Sequence, residues 1–406
     1  MTKVSCICLF GLGTVGRGVM STMYKNSVII RNRLGLDLRI AVILTRRITK
    51  ATKINVNSTQ KIPLNEPRMY VLVEAVGGSC VARYILFNSL NKKRFLVTAN
   101  KTLIACYNFE LRHTYNNILL EASVAGGIPI LSVLEKGLVG NMISYVAGVL
   151  NGTSNWTLAQ MHRLGVSLKR ALLDASQRGY AESDNVCDID GIDSTQKTGI
   201  LYYISLRTTV TIRYIYTEGI RNVNLQDIAY GKRLGLNFKL MSVVLTIKKA
   251  LCATFPGFVS LSWPFWISED TTNVILVAGD CVGKLWLFGK GAGTKPTASA
   301  IISDVESIRY GNGNSSYPTR ILTLPYRSIS TSRNGFYVRT LNTSFQECKE
   351  TLNILLKRKL NLISFSAFGV YKRLEVIMVL KNVFERNFKR TVVSFRGYIT
   401  NYRTLL

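Results

Sequence analysis

The run VSCICLF, residues 4–10, passes directly into GLGTVG. A near-continuous stretch of apolar, β-favouring residues suits a strand buried on both faces, as in a parallel sheet. Gly11, Gly13 and Gly16 follow in GxGxxG spacing, and the next residues, RGVMSTMYKN, are helix-compatible. Strand, glycine turn and helix in that order constrain the amino-terminal third to an α/β unit of the Rossmann type. There the first glycine permits a tight turn, the second admits a pyrophosphate to the backbone, and the third lets helix pack on strand. The first amides of the helix and its dipole favour the phosphate charge. A glycine-rich turn with no ligand is the competing reading.

The chain continues in the same style. LRIAVILT, residues 38–45, reads as a second strand, followed by Arg46 and Arg47. An NAD site would place Asp or Glu near that strand end, whereas arginine suits a 2′-phosphate. The expectation is therefore NADP over NAD, with Arg46 as the contact; a solvated basic loop is the alternative. YVLVEAVGG (70–78) and FLVTANKTLIA (95–105) each read as strand then turn. Gly77 and Gly78 offer close backbone approach, and Lys101 falls just past the carboxyl end of its strand, where open α/β sheets bind ligands.

A chain of 406 residues exceeds one core, and its 47% apolar content is ample for burial. The most apolar segment, about 239–267, is broken by Lys248 and Lys249, so no membrane span is expected. No leader-like segment precedes VSCICLF, and the cytoplasm is the expected location. Eight cysteines without a CxxC pair, beside only two histidines, exclude a zinc cage and a disulfide framework. They read as reduced, mostly buried thiols. The net charge of +29 is spread along the chain in short runs without an aromatic-interleaved RNA motif. Nonspecific, salt-sensitive polyanion binding is its expected consequence. A basic nucleic-acid-binding protein stays as the reading from another class.

Against that charge, five of the 23 carboxylates fall within residues 182–193: Glu182, Asp184, Asp188, Asp190 and Asp193. Even spacing would put roughly one there. The segment before it, SLKRALLDASQR (167–178), has helical apolar spacing, and Gly179 suits a left-handed helix end. DSTQ then predicts a new helix starting at Asp193, with Asp193 and Gln196 as a capping box. Asp193 and Lys197 would share one face. Lys197 would sit at the helix end whose dipole disfavours a cation, as suits a group that exchanges a proton. A helix cap and a weak surface ion pair are the bland readings of the same residues.

Residues 311–334 are rich in Gly, Ser, Asn and Pro and read as a linker. Beyond them, strands near 336–342, 361–368, 373–380 and 391–399 alternate with helical stretches at 344–360 and 383–390. That β-α-β-β-α-β order predicts a ferredoxin-like domain.

GLGTVGRGV, VEAVGG, VTANKTLIA, EASVAGGIPIL, GVLNGTSNWTL, GYAESDNVCDIDGIDSTQK and GKGAGTKPTASAIISD occur in this order. Together they closely resemble homoserine dehydrogenase over about residues 4–310, and the tail resembles the ACT domain of its monofunctional bacterial members. The resemblance implies reversible NAD(P)H-dependent reduction of aspartate 4-semialdehyde to homoserine, on the route to threonine, methionine and isoleucine. It implies a Rossmann domain at 1–133, an α+β catalytic and dimerisation domain at 134–310, and an ACT-like domain at 335–406. Lys197 matches the proton donor and Lys101 the lysine beside nicotinamide and substrate. Glu182, Asp188 and Asp193 match the carboxylates of the amino-acid site. Phe10, Thr14 and Val15 fall on the cofactor loop with its three glycines, and Gly77, Gly179 and Gly293 on turns near it. Glu121 and the carbonyls of Val124, Gly126 and Ile128 match a monovalent metal site, usually sodium; a tight turn is the competing reading of that segment. A homodimer or dimer of dimers is implied.

Departures from the family pattern are also present. GKGAG replaces GPGAG, Asn185 replaces a proline, and Ser344, Phe345, Gln346 and Glu347 stand where an Asp-x-Pro-Gly turn helps bind an effector. Threonine feedback is accordingly expected to be weak or absent. A relative that binds nucleotide without turnover is the alternative to an active enzyme.

Overall fold

The structure, a computed structural model, describes residues 3–44, 71–78, 80–91, 94–111, 117–181, 184–208, 210–246, 250–268, 270–309, 333–342, 344, 346–347, 349–350, 353–354, 362–370, 373–384 and 399–405. The chain forms two compact units, each assembled from three separate stretches. The first comprises Met1–Ile143, Gln196–Tyr214 and Ala278–Thr323. The second comprises Ser144–Thr195, Ile215–Val277 and Leu324–Leu406.

In the first unit the order is β1 (Lys3–Phe10), α1 (Thr14–Lys25), α2 (Ser27–Leu34), β2 (Leu36–Leu44), β3 (Val71–Glu74), α3 (Cys80–Asn91), β4 (Phe95–Thr98), α4 (Lys101–Leu111) and β5 (Ile118–Leu119). The strands lie β2-β1-β3-β4-β5, all parallel. Ile7, Cys8, Leu9 and Phe10 are each buried, as expected of an apolar run without alternation in a sheet covered on both faces. Val19 and Met23 of α1, with Ala298, Ile301 and Val305 of the helix Thr294–Arg309, close a core over Leu9, Val73 and Val97. Each fully buried Val, Leu or Ile side chain among them stabilises by about 1.5–3 kcal/mol. The chain leaves β1 toward β2 and returns to the other side for β3, which opens a crevice at the carboxyl ends of β1 and β3. The strands expected within 4–10, 38–45, 70–78 and 95–105 have counterparts here, but the turn expected after Phe95–Thr98 gives way to helix from Lys101.

The second unit is built on a mixed sheet. Its strands are β6 (Ile143–Val149), β7 (Tyr216–Thr217), β8 (Leu236–Leu245), β9 (Leu251–Ser260), β10 (Thr272–Gly279), β12 (Arg333–Asn342), β13 (Leu362–Val370), β14 (Arg373–Phe384) and β15 (Ile399–Leu405); β11 (Gly283–Lys290) belongs to the first unit. The order runs β10-β6-β8-β9-β15-β12-β14-β13, with β7 beside β9. β8 and β9 pair antiparallel along their whole length, while β15 joins β9 in parallel. The last four strands are antiparallel to one another throughout. One apolar core joins Leu158, Ile189, Ile228, Phe238 and Phe258 to Tyr337, Ile377 and Val379 of these last strands. The Phe258 ring lies 4.7 Å from both Phe238 and Tyr337.

The last described strand is Ile399–Leu405; the strand expected at 391–399 lies, up to residue 398, outside the described residues. One further sequence expectation changes. The thiols are not mostly buried: Cys80, Cys106, Cys187 and Cys281 are exposed, against Cys8 and Cys252 buried. Among the described residues, no helix is long and apolar enough to cross a membrane.

Candidate active site

The site is built up from the end of β1. Gly11 has φ +93, and a side chain there would strike the Ala75 carbonyl. The close approach is held by the Ala75 N–H, which donates to Phe10 O at 2.8 Å, so the turns after β1 and β3 lie together. A side chain at Gly16 would strike the Gly11 carbonyl, whereas at Gly13, which caps α1, it would meet open space. The motif thus divides as its chemistry requires: two glycines for backbone contact, one left open for a ligand at the amides of α1. Thr14 is exposed and Val15 half-buried in that first turn. Arg17 anchors its Nε to Leu12 O at 3.1 Å. The residues fit a dinucleotide diphosphate. Arg46, the expected 2′-phosphate contact, lies outside the described residues.

Sequence reasoning missed the polar chain that sets Lys101. Glu74, buried at the end of β3, accepts from Val76 N and from Thr98 Oγ1. Burial pushes its carboxyl above the ordinary range, against the pull of those two donors. Thr98 Oγ1 accepts from Asn100 N, Asn100 Nδ2 donates to Gly78 O, and Asn100 Oδ1 caps α4 through Leu103 N at 3.0 Å. Lys101 is the first residue of that helix, half-buried. The asparagine of TANK carried the signal, being a capping residue just before a helix. Gly77 and Gly78 face open space, Gly78 at φ +92. Gly293, at φ +118, precedes the helix Thr294–Arg309, with Thr297 N donating to its carbonyl.

The segment expected to hold a cation is a tight turn, with Ala125 and Gly126 both at positive φ. Glu121 is buried, and its carboxylate accepts from Leu131 N (2.9 Å), Ser132 N (2.7 Å) and Ser132 Oγ (2.6 Å). Those bonds cap the helix that begins at Ile130. A carboxylate has about four acceptor directions, so one stays open on Glu121, while the Ile128 carbonyl already accepts from Ile130 N at 2.8 Å; oxygen donors of this kind suit a hard cation. By donor type the set fits. Among the described residues there is no cluster of three His, Cys, Asp or Glu side chains arranged for a metal.

In the second unit the helix Leu168–Gln177 starts on Ser167, whose hydroxyl accepts from Arg170 N. It ends as the sequence predicts. Gly179, at φ +73, donates to Ser176 O, and Tyr180 N reaches back to Ala175 O at 2.8 Å. Both bonds of a Schellman end are present. Glu182 lies outside the described residues. Asp184 turns its carboxylate onto Val186 N, which starts the short helix Val186–Ile189. Asp190 forms a bidentate pair with Arg221 at 2.7 and 3.0 Å, and that guanidinium holds its carboxyl below the ordinary range. This pair lines a small depression with Glu218, Asn222 and Pro256 and explains Asp190 as structural.

Asp193 and Lys197 share the helix Ile192–Leu206, one turn apart and 5% and 8% exposed. The helix expected to start at Asp193 starts one residue earlier, at Ile192. Gly191 O accepts from Thr195 N, and Gln196 Oε1 accepts from Thr102 Oγ1 at 3.1 Å. Asp193 Oδ2 accepts from Asn151 Nδ2 at 2.8 Å, and the same amide nitrogen donates to Asp188 Oδ1 at 2.6 Å. Two acids of the run are thereby brought together within the unit, and Asn151 is a second residue the sequence reading missed. Its position just before GTSN, at a helix start, was the available signal.

Comparison with known proteins bears on the whole arrangement. A family profile for homoserine dehydrogenase matches residues 129–305. A homoserine dehydrogenase of Synechocystis sp. is 34% identical over 316 residues, covering 74% of this chain and 72% of that one. The crystal structure of a homoserine dehydrogenase from Thiobacillus denitrificans superposes with a TM-score of 0.92 at 27% identity, covering 100% of this chain and 99% of that one. A hyperthermophilic archaeal homoserine dehydrogenase mutant, solved in complex with NADPH, matches with a TM-score of 0.64 at 26% identity over 76% of this chain and 98% of its own. At 34% identity over 74% of its length and 72% of that relative's, this chain belongs to the homoserine dehydrogenase family.

Proposed function

We infer that this chain is a nicotinamide-dependent oxidoreductase acting on a CH–OH group, interconverting L-aspartate 4-semialdehyde and L-homoserine. The observation that carries the reading is the helix Ile192–Leu206, which buries Asp193 and Lys197 one turn apart with Asp193 held by Asn151. Buried charges are costly, and a surface helix pair needs no such burial. In this reading Glu182, Asp188 and Asp193 pair with the α-ammonium of the substrate. Lys197 gives a proton to the aldehyde oxygen during reduction and takes it back in the reverse direction. Lys101, set by the Asn100 cap, orients the substrate's reacting end. When bound, the nicotinamide supplies the hydride.

Phe10, Gly11, Gly13, Thr14, Val15 and Gly16 hold the diphosphate in this account, supported by the open approach at Gly13. Gly77, Gly179 and Gly293 shape the surrounding turns, and Arg46 selects NADP over NAD. Glu121 and the carbonyls of Val124, Gly126 and Ile128 would hold a sodium ion, which would offset buried negative charge. The last four strands form an ACT-like layer, a reading supported by their order β15-β12-β14-β13. Its first loop lacks the Asp-x-Pro-Gly turn, so threonine feedback is weak or absent. The working form is a cytoplasmic homodimer or dimer of dimers serving threonine, methionine and isoleucine synthesis, and nucleic acid binds only nonspecifically.

The test is NADPH oxidation with aspartate semialdehyde, run beside NADH and beside a simple aliphatic aldehyde. Turnover confined to the amino-acid aldehyde is expected, with NADPH preferred. Absence of turnover with both cofactors favours a nucleotide-binding relative without activity.

A further inference from the structure

The acidic run and the turn before it are held at four points by the start of the helix Gly152–Leu164 and its cap, Asn151. Thr153 Oγ1 donates to Tyr180 O at 2.7 Å, and Ser154 Oγ donates to Asp188 O at 2.9 Å. The other two points are the N–H bonds of the Asn151 side chain to Asp188 Oδ1 and Asp193 Oδ2. Only these last reach carboxylates. Asn151 is 5% exposed and is itself held, because its Oδ1 accepts from Ser154 N at 2.7 Å as the helix cap. That bond fixes the amide's sense. Turned over, the amide would set its oxygen against two carboxylate oxygens and its NH2 against a backbone N–H. Both side-chain donors are therefore committed to the two acids.

The base of this arrangement is equally restrained. Asn155, one turn on, donates to the carbonyls of Ser268 and Asp270, and its Oδ1 accepts from the buried Lys239 ammonium at 2.9 Å. Lys239 also donates to the Ser268 carbonyl. The helix carrying Asn151 is thus tied to β8 and to the segment before β10. An amide at its start ties both carboxylates to that framework, and substrate orientation requires placement within about 0.5 Å.

We propose that Asn151 is a positioning residue for the amino-acid substrate: its single amide fixes one oxygen of Asp188 and one of Asp193, so that the two acids face the substrate's α-ammonium as a set. The proposal rests on the reading of Asp188 and Asp193 as substrate-binding groups. The shared amide bonds offset the repulsion between two like charges brought close. Without them, mutual repulsion and solvation move the two acids apart.

Two variants separate positioning from capping. Serine and aspartate both cap helices well, so Asn151→Ser and Asn151→Asp retain the helix start. Asn151→Ser removes both N–H bonds and should raise KM for homoserine roughly 10-fold or more, as expected for lost bonds to charged groups. NADPH affinity, followed by the cofactor's fluorescence in the absence of substrate, should stay within about twofold, since the cap is kept. Asn151→Asp sets a third carboxylate against the other two and should lose more kcat/KM than Asn151→Ser. The proposal is overturned if both variants keep the wild-type KM, or if NADPH affinity falls in parallel with KM. Either result leaves the proposed activity standing, because wild-type turnover is measured in the same series; wild type without turnover overturns both.

Discussion

The backbone N–H of Glu121 donates to the carboxylate of Asp304 at 3.0 Å, joining two buried acids that lie 183 residues apart in the chain. Burial raises both carboxyls, Asp304 more strongly; the Glu121 charge further opposes ionisation of Asp304, and the Glu135 charge opposes that of both. Groups raised in the folded state hold their protons more tightly than in the unfolded chain, where a carboxylate titrates near about 4. Their contribution is therefore fully present below that pH and is lost as pH rises through the folded values. Melting temperature should fall as pH rises above the ordinary carboxylate range. Asp304→Asn, which can still accept from Glu121 N, should flatten that slope and cost less than about 1 kcal/mol at pH 8. A larger loss would show that the ionised carboxylate is needed.

A sodium ion at Glu121 would relieve the same charge. At pH 8, replacing sodium by a bulky organic cation should lower the melting temperature by a few degrees, roughly the effect of 1 kcal/mol. The shift should vanish in Glu121→Gln. Identical melts in both salts would remove the metal from the account.

Arg339 and Asp227 form a buried pair, 7% and 0% exposed, at 2.6 Å, with Tyr337 and Gln226 also bonded to it. It links β12 to the helix Leu225–Arg233 inside the second unit. Arg339→Ala leaves a buried carboxylate without its cation and should cost about 3–5 kcal/mol. Changing both residues to apolar ones should cost less. Urea denaturation of the single and double variants checks the order.

Burial pushes the Cys8 thiol up to about 12, and Cys252 is raised as well. Neither should react with a thiol reagent in the native protein at pH 8, whereas Cys80, Cys106 and Cys187 should. Cys281, raised chiefly by the Asp280 charge, should be the slowest of the exposed set. Mass spectrometry of timed alkylation reads the order.

Features written in neighbouring residues were legible before any coordinates. The glycines of GLGTVG and the Schellman end at Gly179 depend on local backbone geometry, and the structure has them where the spacing puts them. Asp193 shows where such reasoning stops. As a cap it was a sound local choice, but Asn151, 42 residues away, offers a buried amide that a sequence window does not contain. Glu74 and Asp304 escaped for the same cause, since a lone acid acquires meaning only from what buries it. The strand Ile399–Leu405 was not read from the sequence. β15 is fixed by pairing with β9 and β12, not by its own polar sequence.

The central claim is that Lys197, buried on the helix Ile192–Leu206, manages the proton while hydride moves. The most direct measurement compares wild type and Lys197→Ala for NADPH oxidation with aspartate semialdehyde, at equal NADPH occupancy. The account predicts a fall in kcat of about 100-fold or more, in the range of a lost general acid, with NADPH binding retained. A variant that keeps wild-type kcat would contradict it.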